Sequence, residues 1–253
     1  METGAITQGI DVAQVVLYIF WLFFAGVIYY LLKENHREGY PLDNGRENGP
    51  VQTGWPAIRD TKTYKLEDGR EIHIPNPQRP DGKYSGKPFH TWLGAPLEPI
   101  GDPLLSGMGP GAWAAREDVC EKDPHGHLKI VPLRVSSDHS VAAQDHDPRG
   151  LPVYGGDKKE AGVVKDMWVD RMELLFRYIE VELPNGKTVL LPVNFSKIYE
   201  NFIYVDAIYS TQFEKVPALK NPEQITRLEE DIICAFYGAG TLYATPERQE
   251  PLV

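Results

Sequence analysis

The chain is poor in the features that usually announce a catalyst or a nucleic-acid binder. Its two cysteines, Cys120 and Cys234, are far apart and form no CxxC pair, which indicates neither a zinc site nor a redox motif and fits a reducing cytoplasm. There is no GxxxxGKS/T phosphate loop, no GxSxG elbow and no HExxH pair. The one GAG, Gly238 to Gly240, follows a helical pattern rather than a strand, so it reads as a helix stop and not as a dinucleotide loop. These absences do not exclude catalysis, but they leave no nucleophile and no cofactor loop to name. Basic residues are the minority: 26 Lys and Arg stand against 36 Asp and Glu, giving a net charge of −10 and a pI near 5.2. That balance argues against nucleic acid, whose phosphates need a basic footprint. We find no internal repeat and no low-complexity tract.

Charge is missing altogether from Val15 to Leu32, where the only polar side chains are three tyrosines and one tryptophan. A helix needs roughly 20 mostly apolar residues to cross the ~30 Å hydrocarbon layer, and Val12 to Leu32 supplies them. No Lys or Arg precedes the run and no small-x-small cleavage pattern follows it, which argues against a cleaved signal peptide. The run is apolar on every face, unlike the helix of a soluble core. Lys33 and Arg37 lie just after it, so the positive-inside rule puts the C-terminal side in the cytoplasm and residues 1–11 on the opposite face. Trp21 sits near the centre of the span, where it either packs against protein or pigment or simply faces lipid. Ala25-Gly26 offers a close-approach point for another helix. An acidic domain would be repelled by the anionic cytoplasmic leaflet, so a protein partner in the membrane is expected to hold it down.

About 220 residues follow, enough for one ordinary domain plus an extended segment. Residues 33–115 are rich in Pro and Gly, with eight prolines from Pro75 to Pro110, and cannot form long helices or central strands. One hairpin is expected there, YKLEDGREIHI, turning on Asp68-Gly69. The remainder reads as a strap on the membrane surface; Trp55, Phe89, Trp92 and Trp113 are more aromatic than a free linker needs. Residues 116–253 turn to β: KIVPLRVSS, LPVYG, AGVVKDMWVD, FRYIEVELPNGKTVLLPV and KIYENFIYVDAI read as short strands of a small antiparallel barrel. In FRYIEVEL, Ile179, Val181 and Leu183 alternate with Tyr178, Glu180 and Glu182. One C-terminal helix is expected over NPEQITRLEEDIICAFYGAG. Asn221 would cap it, Pro222 would stand at its first position and Gln224 would complete a capping box. Its apolar stripe would be Ile225, Leu228, Ile232 and Phe236, with Gly238 and Gly240 ending it.

Two constellations of acids and imidazoles could carry chemistry. In CEKDPHGHLK, Asp123, His125 and His127 fall within five residues. On an extended chain both imidazoles could share a face beside the carboxylate, binding a divalent transition metal weakly or loading protons near pH ~6.5; the other reading is a solvated loop. In WVDRMELLFR, Asp170 and Glu173 sit at a strand-to-strand turn with Arg171 and Arg177 nearby, a place that is often merely wet and charged.

Six stretches together resemble the H subunit of the purple bacterial photosynthetic reaction centre: KENHREGYPLD after the span, GDPLLSGMGPGAW at 101–113, KIVPLRV at 129–135, DPRGLPV at 147–153, DMWVDR at 166–171 and LEEDIICAFYGAGTLYATPER at 228–248. The resemblance implies a single-pass protein of the bacterial intracytoplasmic membrane. Its cytoplasmic PRC barrel would cap the quinone side of the L and M subunits, stabilise the complex and pass protons to the secondary quinone. It implies Asp123, His125 and His127 as a proton entry that also binds inhibitory metal weakly. Asp170 and Glu173 would relay the proton farther in, beside Arg177. It implies no cofactor on this chain, since bacteriochlorophyll, bacteriopheophytin, quinones and non-haem iron belong to L and M. The partners it implies are L and M, the core light-harvesting ring and membrane lipid, with or without a cytochrome subunit in the same complex. The alternative is a membrane-tethered PRC-barrel adaptor that assembles another complex and has no proton role.

Overall fold

Asp11 begins the long apolar helix as its N-cap, its Oδ1 accepting the Gln14 N–H at 2.7 Å. The computed structural model describes residues 4–7, 9–38, 55, 60–75, 85–92 and 95–249. The readings placed on 39–54, 56–59, 76–84 and 93–94, including the GYPLD end of the first matching stretch, lie outside these residues. The chain divides into two units, one of residues 1–79 and 90–95 and one of residues 80–89 and 96–253.

In the first unit, β1 (Ala5–Thr7) and β2 (Ile10–Asp11) form a small antiparallel pair ahead of α1 (Val12–Asn35). The helix runs three residues past the expected Leu32, through the charges that mark the end of the apolar run. Its mean hydropathy is 2.3 and none of its residues is buried. At about 1.5 Å per residue it is long enough to span the hydrocarbon with some tilt. Arg37 closes the exit, its Nε donating to Glu34 Oε2 at 2.6 Å.

The expected hairpin pairs β3 (Lys62–Lys65) with β4 (Glu71–Ile74), Lys65 facing Glu71. Its loop differs from the two-residue turn expected at Asp68-Gly69. The Gly69 N–H bonds to Leu66 O, the Leu66 N–H bonds to Arg70 O, and only Gly69 has positive φ, +84°. A two-residue type I′ turn needs two such residues; here a three-residue loop places the single glycine at the left-handed position.

In the second unit, β5 (Gly86–Pro88) pairs with β6 (Leu97–Pro99), and short 3-10 turns follow at Pro103–Leu105 and Gly109–Gly111. The curled sheet comprises β7 (Ile130–Pro132), β8 (Pro152–Tyr154), β9 (Glu160–Asp170), β10 (Leu175–Glu182), β11 (Thr188–Pro192), β12 (Lys197–Ile198) and β13 (Ile203–Tyr204). Its order is β11-β10-β9-β8-β13-β12, with β7 also paired to β9. All of these pairs are antiparallel except β8 with β13, a local departure from the antiparallel expectation. KIVPLRVSS keeps only three residues in its strand, because Leu133–Val135 turns into a 3-10 helix after Pro132.

The core gathers Val153, Trp168, Ile179, Leu191, Ile208, Phe213 and Tyr237, all fully buried. The alternation expected along β10 is overridden at Tyr178 and Glu180, which are buried too. Glu180 tolerates burial because Arg134 Nη1 and the Trp168 indole N–H donate to its Oε2 at 2.5 and 2.9 Å.

The C-terminal helix, α2 (Arg227–Tyr243), starts six residues later than Asn221. Thr226 is the cap, and its box partner is Glu229: the Glu229 N–H donates to Thr226 Oγ1 and the Thr226 N–H to Glu229 Oε2. Asn221 instead accepts the Glu223 N–H in a turn. Gly238 and Gly240 lie inside the helix rather than ending it. A Cβ on Gly238 would stand 2.4 Å from Pro110 O and one on Gly240 would stand 2.4 Å from Ala207 O. Both are points where backbone packs on backbone. The buried face therefore runs through Glu229, Ile233, Phe236, Tyr237 and Gly240, and Leu228 and Ile232 are only half-buried.

Candidate functional site

The stretch Glu121 to Lys129 forms a tight, solvent-facing hairpin. Lys122 bridges Leu128, the Asp123 N–H donates to His127 O, and Gly126 makes the turn at φ +88°. Asp123 organises it from within. Its Oδ1 accepts the N–H groups of His125 and His127, both at 2.8 Å, and its Oδ2 lies 3.1 Å from His127 Nδ1. Partial burial works to raise the pKa of Asp123, but the His127 and His125 hydrogen bonds outweigh it and hold the carboxyl below its ordinary value. The two imidazoles stand 6.3 Å apart, centre to centre, and the His127 side chain is 67% exposed. Asp123 and both histidines are thus brought together at a solvent-facing tip. Among the described residues no three His, Cys, Asp or Glu side chains are grouped to hold a metal ion.

The second constellation lies where the sequence places it, on the turn from β9 to β10. Asp170 ends β9 with its side chain fully buried. Its Oδ1 accepts the N–H groups of Met172 and Glu173 at 3.0 Å each. Its Oδ2 is buried and accepts no hydrogen bond among the described residues. Leu174, at φ +55°, completes the turn and returns its N–H to Asp170 O.

Lys129, which the sequence reading passed over, fixes the base of the first hairpin to the second constellation. Its Nζ stands 3.2 Å from Glu121 Oε2, 3.4 Å from Asp170 Oδ2 and 3.5 Å from Glu173 Oε1. Its backbone is held from both sides, by its own N–H on Glu121 O and by the Arg171 N–H on its carbonyl. Burial acts to lower the Lys129 pKa, but the Glu121 and Asp170 carboxylates prevail and raise it. Burial likewise acts to raise Glu121, and Lys129 with Arg227 pulls it below its ordinary range. Arg227 Nε bonds Glu121 Oε1 at 2.9 Å. Lys129 follows His127 by two residues, but what brings it to Asp170 is the pairing of Ile130 with Asp170 across β7 and β9. No local sequence signal encodes that pairing.

Arg177 extends the cluster in the other direction. Its Nη1 is 3.8 Å from Glu173 Oε2 and its Nη2 is 4.0 Å from Glu230 Oε2. Glu230 accepts the Tyr178 hydroxyl at 2.9 Å. Burial is the largest influence on Glu230 and raises its pKa, against the Tyr178 hydrogen bond and the Arg177 charge. Burial also pushes up the Tyr178 hydroxyl and the Cys234 thiol.

A separate ion cluster fills the middle of the sheet. Arg134 Nη1 is shared by Asp166 and Glu180, and its Nη2 donates to Pro222 O at 2.6 Å. It borders a cavity of about 400 Å³ lined by Lys165, Trp168, Thr188, Leu219 and Glu223 among others.

Two family profiles match this chain. That of the PRC-barrel domain covers residues 141–212, taking in most of the curled sheet. That of the photosynthetic reaction centre H-chain N-terminal region covers residues 4–135, from the first small strand through α1 to the end of the Leu133–Val135 turn. The second match spans more than half of the sequence, and the chain therefore belongs to the H-chain family of the photosynthetic reaction centre.

Proposed function

We propose that this chain is a single-pass, non-catalytic subunit that caps the quinone side of the L and M subunits and conducts protons from the cytoplasm to the secondary quinone. In this reading the N-terminus is periplasmic, α1 docks on the membrane partners, and the β domain lies in the cytoplasm. The pigments, quinones and iron stay on L and M.

The observation that carries the proton role is the anchorage made by Lys129. At the base of the hairpin whose tip carries Asp123, His125 and His127, its ammonium pairs with Asp170 and Glu173 on the neighbouring turn. Twice-reduced quinone needs protons, and a site closed to bulk water receives them only through groups that take up and release a proton in turn. Imidazoles and carboxylates with water between them do this. His125 and His127 serve as the entry, where a proton exchanges with bulk water. Asp123 fixes the hairpin and supplies the counter-charge. Asp170 and Glu173 take the proton inward, Asp170 through its buried Oδ2, which faces the Lys129 ammonium at 3.4 Å.

The entry can be tested with Zn²⁺ or Cd²⁺ on the intact complex. Micromolar metal should slow flash-induced proton uptake, with the effect weakening as pH falls because the imidazoles must be deprotonated to bind it. The variant His125→Ala with His127→Ala should lose this inhibition. Full inhibition retained in that variant would place the entry elsewhere.

A further inference from the structure

Glu230 is a carboxyl that neither constellation includes, and its surroundings are unusual for a helix-surface acid. It sits in the first turn of α2 with its side chain only 15% exposed. Its Oε2 accepts the hydroxyl of Tyr178, itself buried in β10. The same oxygen lies 4.0 Å from Arg177 Nη2, and the other arm of that guanidinium lies 3.8 Å from Glu173 Oε2. Both gaps exceed a direct hydrogen bond, and a polar separation of that size is where a bridging water belongs. One cation thus stands between two carboxyl groups, one nearly buried and the other half exposed.

We infer that Glu230 is a further proton-holding site of the relay, which hands its proton past Arg177 to Glu173. This deepens the proton-conducting reading above and rests on it. In the transfer the Glu230 carboxyl loses a proton and the Glu173 carboxylate gains it, with no change of oxidation state at either. Arg177 stays charged throughout and shifts its pairing toward Glu230 as that group becomes the anion. Tyr178 is the positioning residue, since its hydroxyl donates to Oε2 and fixes the carboxyl plane.

The groups around Glu230 suit this role. Arg177 and Tyr178 face it from β10, Cys234 lies on its own helix, and Glu121 and Lys129 act on it from the hairpin. Its neighbour Asp231 is already engaged with Arg116 at 3.0 Å. Burial favours the protonated carboxyl, so Glu230 holds its proton to higher pH than an exposed glutamate does. As a store of protons next to Glu173, it gains a supply that is ready before bulk water delivers one.

The test is flash kinetics on the assembled complex carrying Glu230→Gln, with Asp170→Asn measured beside it. Glu230→Gln should leave the first electron transfer to the secondary quinone near the parent rate and slow the second severalfold at pH 8. It should slow it less at pH 6, where protons are abundant, and a small weak acid should restore it. It should also remove a protonated-carboxyl band from the light-minus-dark infrared difference spectrum. Tyr178→Phe, which leaves the carboxyl in place, should retain that band at a shifted frequency. If Asp170→Asn slows the second transfer while Glu230→Gln changes neither rate nor spectrum, the relay stands and the Glu230 inference is wrong. If neither variant slows it, both fail together.

Discussion

Glu121 shows how much of this cluster's character comes from one residue's neighbours. Its carboxylate meets Lys129 on one oxygen and Arg227 on the other, and together they hold its pKa below the ordinary value of 4.5 despite partial burial. A carboxylate whose folded pKa is depressed contributes stability that is full above its unfolded pKa and fades as pH falls through the folded one. Glu121→Gln should therefore lower the urea midpoint of the solubilised chain at pH 7, by an amount equivalent to about 1 kcal/mol for a partly exposed ion pair. The gap between parent and variant should close as the pH is taken below 4.5. A gap that stays constant into acid would mean that Glu121 acts through packing and not through charge. Asp170, Glu173 and the Asp123 trio were legible in the sequence because acids and imidazoles at short spacing stand out. Lys129, Glu121 and Glu230 were not, because their role is set by which strands and helices lie beside them.

At the scale of elements, the apolar run, the strands and the hairpins could be read from periodicity and turn residues, and their ends could not. Asn185-Gly186 closes β10 onto β11, and as at Asp68-Gly69 only the glycine takes positive φ, +81°. Asn-Gly marks a turn without fixing the loop length, since one left-handed residue satisfies a longer loop. Gly238 and Gly240 read as helix stops because a glycine's local freedom is visible in sequence. Their packing against Pro110 O and Ala207 O is a tertiary fact and is not. For α1 the flanking charges predict an orientation. Lys33 and Arg37 follow the run and no basic residue precedes it, so protease added to inside-out vesicles should degrade the β domain and leave α1 protected. Cleavage of the β domain only in right-side-out spheroplasts would reverse the orientation.

Taken whole, the molecule sets one membrane-length helix and one curled sheet in a single chain, and the mostly antiparallel sheet was expected from the spacing of its strands. The parallel contact of β8 with β13 was not, because it joins strands about 50 residues apart through a connection that local patterning cannot register. The same limit hid the β7–β9 pairing, and with it the way an exposed hairpin comes to share a lysine with a buried aspartate. That link is the centre of the account, and the most direct measurement of it is the second electron transfer to the secondary quinone in complexes carrying Asp170→Asn together with Glu173→Gln. An amide keeps the shape of a carboxyl but cannot pass a proton, so assembly and the pigment spectrum should match the parent and the first transfer should slow little. The second transfer, which is coupled to protonation, should slow more than in either single variant and recover in part when a small weak acid is added. A second transfer at the parent rate in the double variant would contradict the account and leave Asp170 and Glu173 as structural charges.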